Sequence, residues 1–105
     1  MASGVYGKVD ISAANTWETL LAPPTSGNKV TTVNLVNRTA ANIKVRIALA
    51  ASTGAVTDAD CIEFDTTLPP NGVLERTGIV LDTNNGLCIR ANATGVSAQA
   101  YGIDG

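Results

Sequence analysis

Histidine is absent from this sequence of 105 residues. It is the usual general base, the usual partner of a nucleophilic Ser or Cys, and the commonest zinc ligand. Its absence excludes Ser-His-Asp and Cys-His catalytic arrangements within one chain. The five serines lack a nucleophile-elbow context, and the glycines are spread singly, so there is no Gly-rich phosphate loop. We therefore predict that the chain is not an enzyme and carries no cofactor.

Runs of one charge and long apolar runs are also missing. Seven basic and nine acidic residues give a net charge of −2 without a basic stretch, which argues against nucleic-acid binding. No apolar stretch approaches the roughly 18 residues of a membrane-spanning helix. Residues 1–8 lack the apolar block of a secretory signal. The sequence therefore predicts a protein that is made in a cytoplasm and does not bind a membrane.

Aromatic residues are scarce, at 4% of the chain, although 45% of it is hydrophobic. A core must therefore be built mainly from Val, Ile, Leu and Ala. Thr, Val, Asn and Gly are prominent, and this composition favours strands and tight turns over helices.

Alternation of apolar and polar residues is clearest in residues 42–50. Ile43, Val45, Ile47 and Leu49 share one phase, and Lys44 and Arg46 share the other. A period of two with β-branched residues is typical of a half-buried strand. Residues 29–37 alternate in the same way, and the short polar link after them predicts that the two strands pair as an antiparallel hairpin.

Further candidate strands recur about every ten residues and are separated by turns rich in Gly, Pro and Asn. Their ranges are 5–11, 16–21, 29–37, 42–50, 62–66, 73–81, 87–91 and 96–103. The Asn85-Gly86 pair before the seventh is a strong hairpin signal. This spacing predicts an all-β fold, a two-sheet antiparallel β-sandwich of jelly-roll or immunoglobulin type. We expect a single domain over residues 1–105, in which residues 1–10 could instead form an N-terminal arm.

The two cysteines, Cys61 and Cys88, share strand phases with charged residues, which predicts that both thiols lie on polar faces. Three outcomes are open for them: free thiols, a disulfide within the chain, or contacts and bridges to a neighbouring subunit. Tyr101 is expected to face outward beside small residues, and Tyr6 is a second large amphipathic side chain. We take Tyr6, Cys61, Cys88 and Tyr101 as candidate subunit-interface residues.

The acidic residues between positions 58 and 65 form the one acidic cluster of the sequence: Asp58, Asp60, Glu63 and Asp65. Hard cations such as Ca²⁺ prefer several carboxylates on a flexible loop. The segment lacks the glycine and the ligand spacing of an EF-hand loop, so we predict no metal site and expect a solvated acidic face instead.

Two stretches carry a resemblance to a known group of proteins. They are TTVNLVNRT (31–39) with IKVRIALA (43–50), and ADCIEFDT (59–66) with NGVLERTGIVL (71–81). This pattern resembles small β-sandwich proteins encoded among the structural genes of tailed bacteriophages, over about residues 16–103. The Pro-containing loop at residues 23–29 is longer than is usual in that group.

The resemblance implies a structural protein of a virion, made in the host cytoplasm. The expected role is capsid decoration: a homo-oligomer, with a trimer favoured, that binds the shell of major capsid protein. A neck, collar or tail accessory protein of the same virion is the alternative. A carbohydrate- or host-surface-binding module is a second alternative, which the scarcity of aromatic residues disfavours.

Overall fold

The computed structural model describes residues 3–104, with the side chains of residues 4–102. It contains eight strands: β1 (Ser3–Asp10), β2 (Glu18–Leu21), β3 (Lys29–Asn37), β4 (Ile43–Ala50), β5 (Cys61–Leu68), β6 (Val73–Leu81), β7 (Gly86–Ala91) and β8 (Val96–Asp104). Two short 3₁₀ turns, Thr53–Ala55 and Asp58–Asp60, lie in the connection from β4 to β5. The predicted antiparallel β-sandwich is confirmed, and every strand overlaps one of the eight candidate segments.

The strands form two four-stranded sheets. Sheet A has the order β1-β8-β3-β6, and sheet B has the order β2-β7-β4-β5. All pairings are antiparallel. This is the strand order of a jelly roll, in which successive strands alternate between the sheets except at the middle of the chain. The order therefore selects the jelly roll over the immunoglobulin arrangement.

The predicted hairpin of β3 with β4 is wrong. β3 pairs with β6 and β8, whereas β4 pairs with β5 and β7 in the other sheet. The hairpin signal at Asn85-Gly86 is misleading for the same reason, because β6 and β7 also belong to different sheets. In a sandwich, a short polar connection can arch from one sheet to the other and leave both strands with distant partners.

The core lies between the two sheets and is aliphatic, as the composition predicts. The alternating positions of β3, β4, β7 and β8 supply most of it. Its fully buried members include Ile11, Val33, Leu35, Ile43, Val45, Ile47, Leu81, Leu87, Ile89 and Val96. The sandwich is thus one body around one hydrophobic cluster.

Asn37 is a fully buried polar side chain at the end of β3. Its amide Nδ2 donates to the carbonyl oxygens of Ala41, Leu68 and Pro69, at 2.7, 3.0 and 3.1 Å. Its Oδ1 accepts from the backbone N and the hydroxyl of Thr39, at 2.9 and 2.7 Å. Asn37 therefore joins the connections β3–β4 and β5–β6, and all its hydrogen-bonding capacity is used inside the fold.

The alternative of an N-terminal arm does not hold for residues 3–10, which form β1 and pair with β8 along the edge of sheet A; residues 1 and 2 lie outside the described residues. β1 also approaches β2 of the other sheet. A Cβ at Gly7 would lie 2.3 Å from the carbonyl oxygen of Leu20, so this position requires glycine. The two sheets therefore meet along this edge.

An ion pair links the sheets at the opposite edge. The Arg76 Nη1 on β6 lies 2.6 Å from the Glu63 Oε2 on β5. The other Glu63 oxygen accepts a hydrogen bond from the Thr66 hydroxyl at 2.7 Å. Because the Glu63 side chain is only 15% exposed, this contact is better shielded from solvent than an ordinary surface pair.

Candidate interaction surface

The outer face of sheet A is the candidate interaction surface. Residues directly opposite each other in a sheet project to the same side, so the register assigns its members. Val30 lies opposite Val80, Val36 opposite Val73, and Val5 opposite Tyr101. Their neighbours along each strand, such as Leu35 and Leu81, are buried in the core.

Large exposed hydrophobic side chains concentrate on this face. Five are found among residues 4–102: Val5, Val30, Phe64, Val73 and Val80, with exposed fractions of 47–60%. All of them except Phe64 belong to the outer face of sheet A. Apolar side chains grouped on one face are typical of a surface that binds another protein, whereas single scattered ones are ordinary.

Polar side chains occupy the middle of the same face. Tyr101 lies there, half-buried, and its hydroxyl donates to the Glu75 Oε2 at 3.1 Å. Asn34 stands between Gln99 on β8 and Glu75 on β6. The face thus combines apolar ends with a polar centre, and Tyr101 has the outward position that its strand phase predicts.

Tyr6 belongs to a different environment. It lies at a register shift between β1 and β8 and packs against the core. The Lys29 ammonium sits 4.4 Å from the centre of its ring, a cation–π contact. Tyr6 therefore helps to cover the core beside β1. The structure does not place it with Tyr101 on the outer face of sheet A.

The cysteines lie on sheet B, in one row with Ala48 between them. Ala48 pairs with Cys61 on one side and with Cys88 on the other. Because neighbouring strands are about 4.8 Å apart, the two cysteine Cα atoms are separated by about 10 Å. A disulfide needs less than about 7 Å, so a bridge within the chain is excluded and both thiols are free.

The two thiols differ in exposure. Cys61 is partly exposed on the edge strand β5, while Cys88 is 1% exposed on β7. Cys88 shares the outer face of sheet B with Arg90, as its strand phase predicts. It is nevertheless buried there, because β7 is an interior strand and its neighbours shield a small side chain. Burial raises the pKa of both thiols, and nearby Asp58 raises the pKa of Cys61 further. Neither has the depressed pKa of a reactive cysteine.

The acidic residues of positions 58–65 do not converge. Asp60 accepts a hydrogen bond from the Thr57 backbone N at 2.9 Å and caps the second 3₁₀ turn. Glu63 pairs with Arg76, and Asp65 pairs with Arg46 on the opposite side of sheet B. Within the described part of the chain, no group of three or more acidic or cysteine residues is arranged to hold a metal ion.

Sequence reasoning missed the valines of the outer face of sheet A. One signal was present, since Ile79, Val80 and Leu81 are three consecutive apolar residues. In a strand that is buried on one side only, such a run must expose either its middle member or the two residues that flank it. Here the exposed member is Val80. Of the four predicted interface residues, only Tyr101 joins these valines.

Comparison with protein-family models, with curated proteins and with solved structures finds no match to this chain. Within residues 3–104, the structure has no helix of the length and apolar character needed to span a membrane.

Proposed function

We propose that this chain is a non-catalytic structural protein of a tailed-bacteriophage virion, a capsid decoration protein that binds the shell of major capsid protein and stabilises it. The sequence resemblance over residues 16–103 supports this role. The jelly roll is also a fold that recurs in viral capsid domains, although a fold alone does not define a function.

The observation that carries the proposal is the outer face of sheet A, with its exposed Val5, Val30, Val73 and Val80. A protein that cements a shell must bury part of its surface against neighbours, and apolar side chains around polar groups are suited to that task. We place the contact with the capsid, or between copies in a trimer, on this face.

The absence of histidine from the sequence supports a non-catalytic role. The chemistry of the cysteines agrees with it, because burial raises the pKa of both thiols and so disfavours the reactive thiolate. We therefore expect this chain to bind its neighbours and to catalyse no reaction.

Immunogold labelling of intact virions tests where on the virion this protein lies. Label distributed over the whole head is the expected result. Label confined to the portal end would overturn decoration and would favour the neck or collar role. Labelling of fibres, together with binding of the isolated protein to glycans, would favour the carbohydrate-binding alternative.

A variant tests the face itself. Val80→Glu combined with Val73→Glu places two charges on the outer face of sheet A, and we expect loss of binding to heads that lack the protein, measured by co-sedimentation. Thr19→Glu is the matched control, because Thr19 is an exposed β-branched residue on an edge strand of sheet B. Equal binding by the double variant and the control would show that this face is not the contact.

A further inference from the structure

A recess on the outer face of sheet B gathers three of the seven basic residues of the chain. It has about 190 Å³ of empty space, part of it open to solvent. Its polar lining consists of Asn15, Lys44, Arg46, Asp65, Arg90 and Asn92. The outer face of sheet A, on the other side of the molecule, is not involved.

Two of these cations are direct cross-strand neighbours. Arg46 on β4 lies opposite Arg90 on β7, and Lys44 lies two residues before Arg46 on the same face. Like charges directly opposite in a sheet repel and lower stability. Asp65 offsets one of the three positive charges, and an excess of positive charge remains at the recess.

Arg46 is held in place by two neighbours. Its Nε and Nη2 donate to the two carboxylate oxygens of Asp65, at 2.7 and 3.2 Å, and its guanidinium lies 4.1 Å from the centre of the Phe64 ring. The hydrogen bond from Arg46 holds the pKa of Asp65 below its usual range. The Asp65 carboxylate is therefore ionised at neutral pH, and protonation as the pH falls through that lowered pKa weakens the pair.

Other donors at the recess are unused. The side chains of Lys44 and Arg90 have no ion pair or hydrogen bond among the described residues. Asn92, which also lines the recess, uses its Oδ1 to accept from the Lys44 backbone N at 3.0 Å, which leaves its Nδ2 as a further donor. Three donor groups that converge on one recess match the acceptor oxygens of an anion.

The charge of the recess is opposite to that of the whole chain. Three cations and one carboxylate give it a charge of about +2, while the chain as a whole carries −2. An anion is thus attracted to this point and repelled by the rest of the surface.

We propose that this recess binds a single oxyanion group, a phosphate, sulfate or carboxylate, through Lys44, Arg90 and Asn92, with Arg46 beside them and held by Asp65. The other four basic residues of the chain lie on or next to strands of sheet A. No basic track therefore leads away from the recess, and the polyanionic backbone of a nucleic acid does not fit this role. The inference is independent of the proposed function of the outer face of sheet A.

NMR titration of the ¹⁵N-labelled protein tests the proposal. Sodium phosphate, sodium sulfate and sodium acetate are added separately at constant ionic strength, with sodium chloride as the reference. We expect saturable shifts of the backbone amides of Asn15, Arg90 and Asn92 with at least one oxyanion. A preference for phosphate or sulfate would indicate a tetrahedral group as the natural ligand, and a preference for acetate would indicate a carboxylate of a partner chain.

Variants separate binding from folding. Arg90→Gln should weaken oxyanion binding by about tenfold, the loss expected for a charge-assisted hydrogen bond. It should also raise the melting temperature, because it removes the repulsion with Arg46. Lys8→Gln, the same change of charge at an exposed position on sheet A, is the matched control and should leave binding unchanged.

The Asp65→Asn variant should change the strength of oxyanion binding in the opposite direction. Asp65 adopts a φ of 52°, a left-handed conformation that Asn tolerates, so the variant should keep the backbone. Removal of the competing carboxylate should tighten oxyanion binding about two- to fivefold. No saturable shift with any oxyanion, or equal binding by Arg90→Gln and the unaltered protein, would overturn the proposal.

Discussion

Two polar residues of β3, Thr31 and Asn37, are buried in the sandwich. They differ in whether their side chains have hydrogen-bond partners. Asn37 has partners for both ends of its amide. The hydroxyl of Thr31, a residue that is 1% exposed, has no hydrogen-bond partner in the part of the chain that the structure describes. A buried hydroxyl without a partner loses its interactions with water and gains none in return. The unpaired hydroxyl of Thr31 therefore lowers the stability of the fold.

Replacing Thr31 with valine should stabilise the protein. Valine has nearly the same shape, and it removes the unpaired hydroxyl while keeping the β-branched side chain in its strand. We expect the free energy of unfolding to rise by about 1 kcal/mol, measured by urea denaturation.

Thr32→Val is the control for this prediction, since Thr32 lies on the outer face of sheet A and is partly exposed. It should change the free energy of unfolding by less than about 0.5 kcal/mol. If Thr31→Val lowered stability instead, the Thr31 hydroxyl would have to make a favourable interaction in the folded protein.

At the scale of elements, the close approach of two strands explains why position 86 is a glycine. The Asn-Gly pair wrongly predicts a hairpin turn there. Gly86 follows Asn85 and suggests a hairpin turn, but it is the first residue of β7 and its role is steric. A Cβ at Gly86 would lie 2.4 Å from the carbonyl oxygen of Leu21 and 2.8 Å from the backbone N of Pro23. The chain at the end of β2 can pass β7 only because this position has no side chain.

Gly86→Ala should therefore destabilise the protein by about 1–3 kcal/mol, the usual range for overpacking, measured as a decrease in the free energy of unfolding. Gly54→Ala is the matched control, because a Cβ at Gly54 has no atom within 4 Å. That variant should be neutral or slightly stabilising through the reduced entropy of the unfolded chain. A harmless Gly86→Ala would contradict the close approach of β2 and β7.

The strands themselves could be predicted from the sequence, because each carries its alternation within a few residues. Their partners could not. β3 and β4 are adjacent in sequence and alternate strongly, yet the signal for pairing depends on which distant strand offers a complementary edge. The same limit applies to the sites: Arg46 and Arg90 are 44 positions apart, and only the register of β4 with β7 brings them together.

At the scale of the whole molecule, nearly every strand pairs with a strand that is distant in sequence, such as β1 with β8 and β2 with β7. Loop-closure entropy must be lost before such contacts form, so folding is expected to be slow. We predict a folding time of milliseconds to seconds, measured by stopped-flow fluorescence of Trp17, the single tryptophan. Folding that is complete well within about 1 ms would contradict this prediction.

The pairing of β1 with β8 also determines where attachments can be made. Ser3 lies opposite Ile103, so the first residues of β1 and the last residues of β8 lie side by side in sheet A, about 5 Å apart. A short linker could join them, with new ends opened near Gly54 in the connection from β4 to β5. Segments attached before β1 and after β8 would start at the same corner of the sandwich and would be held next to each other.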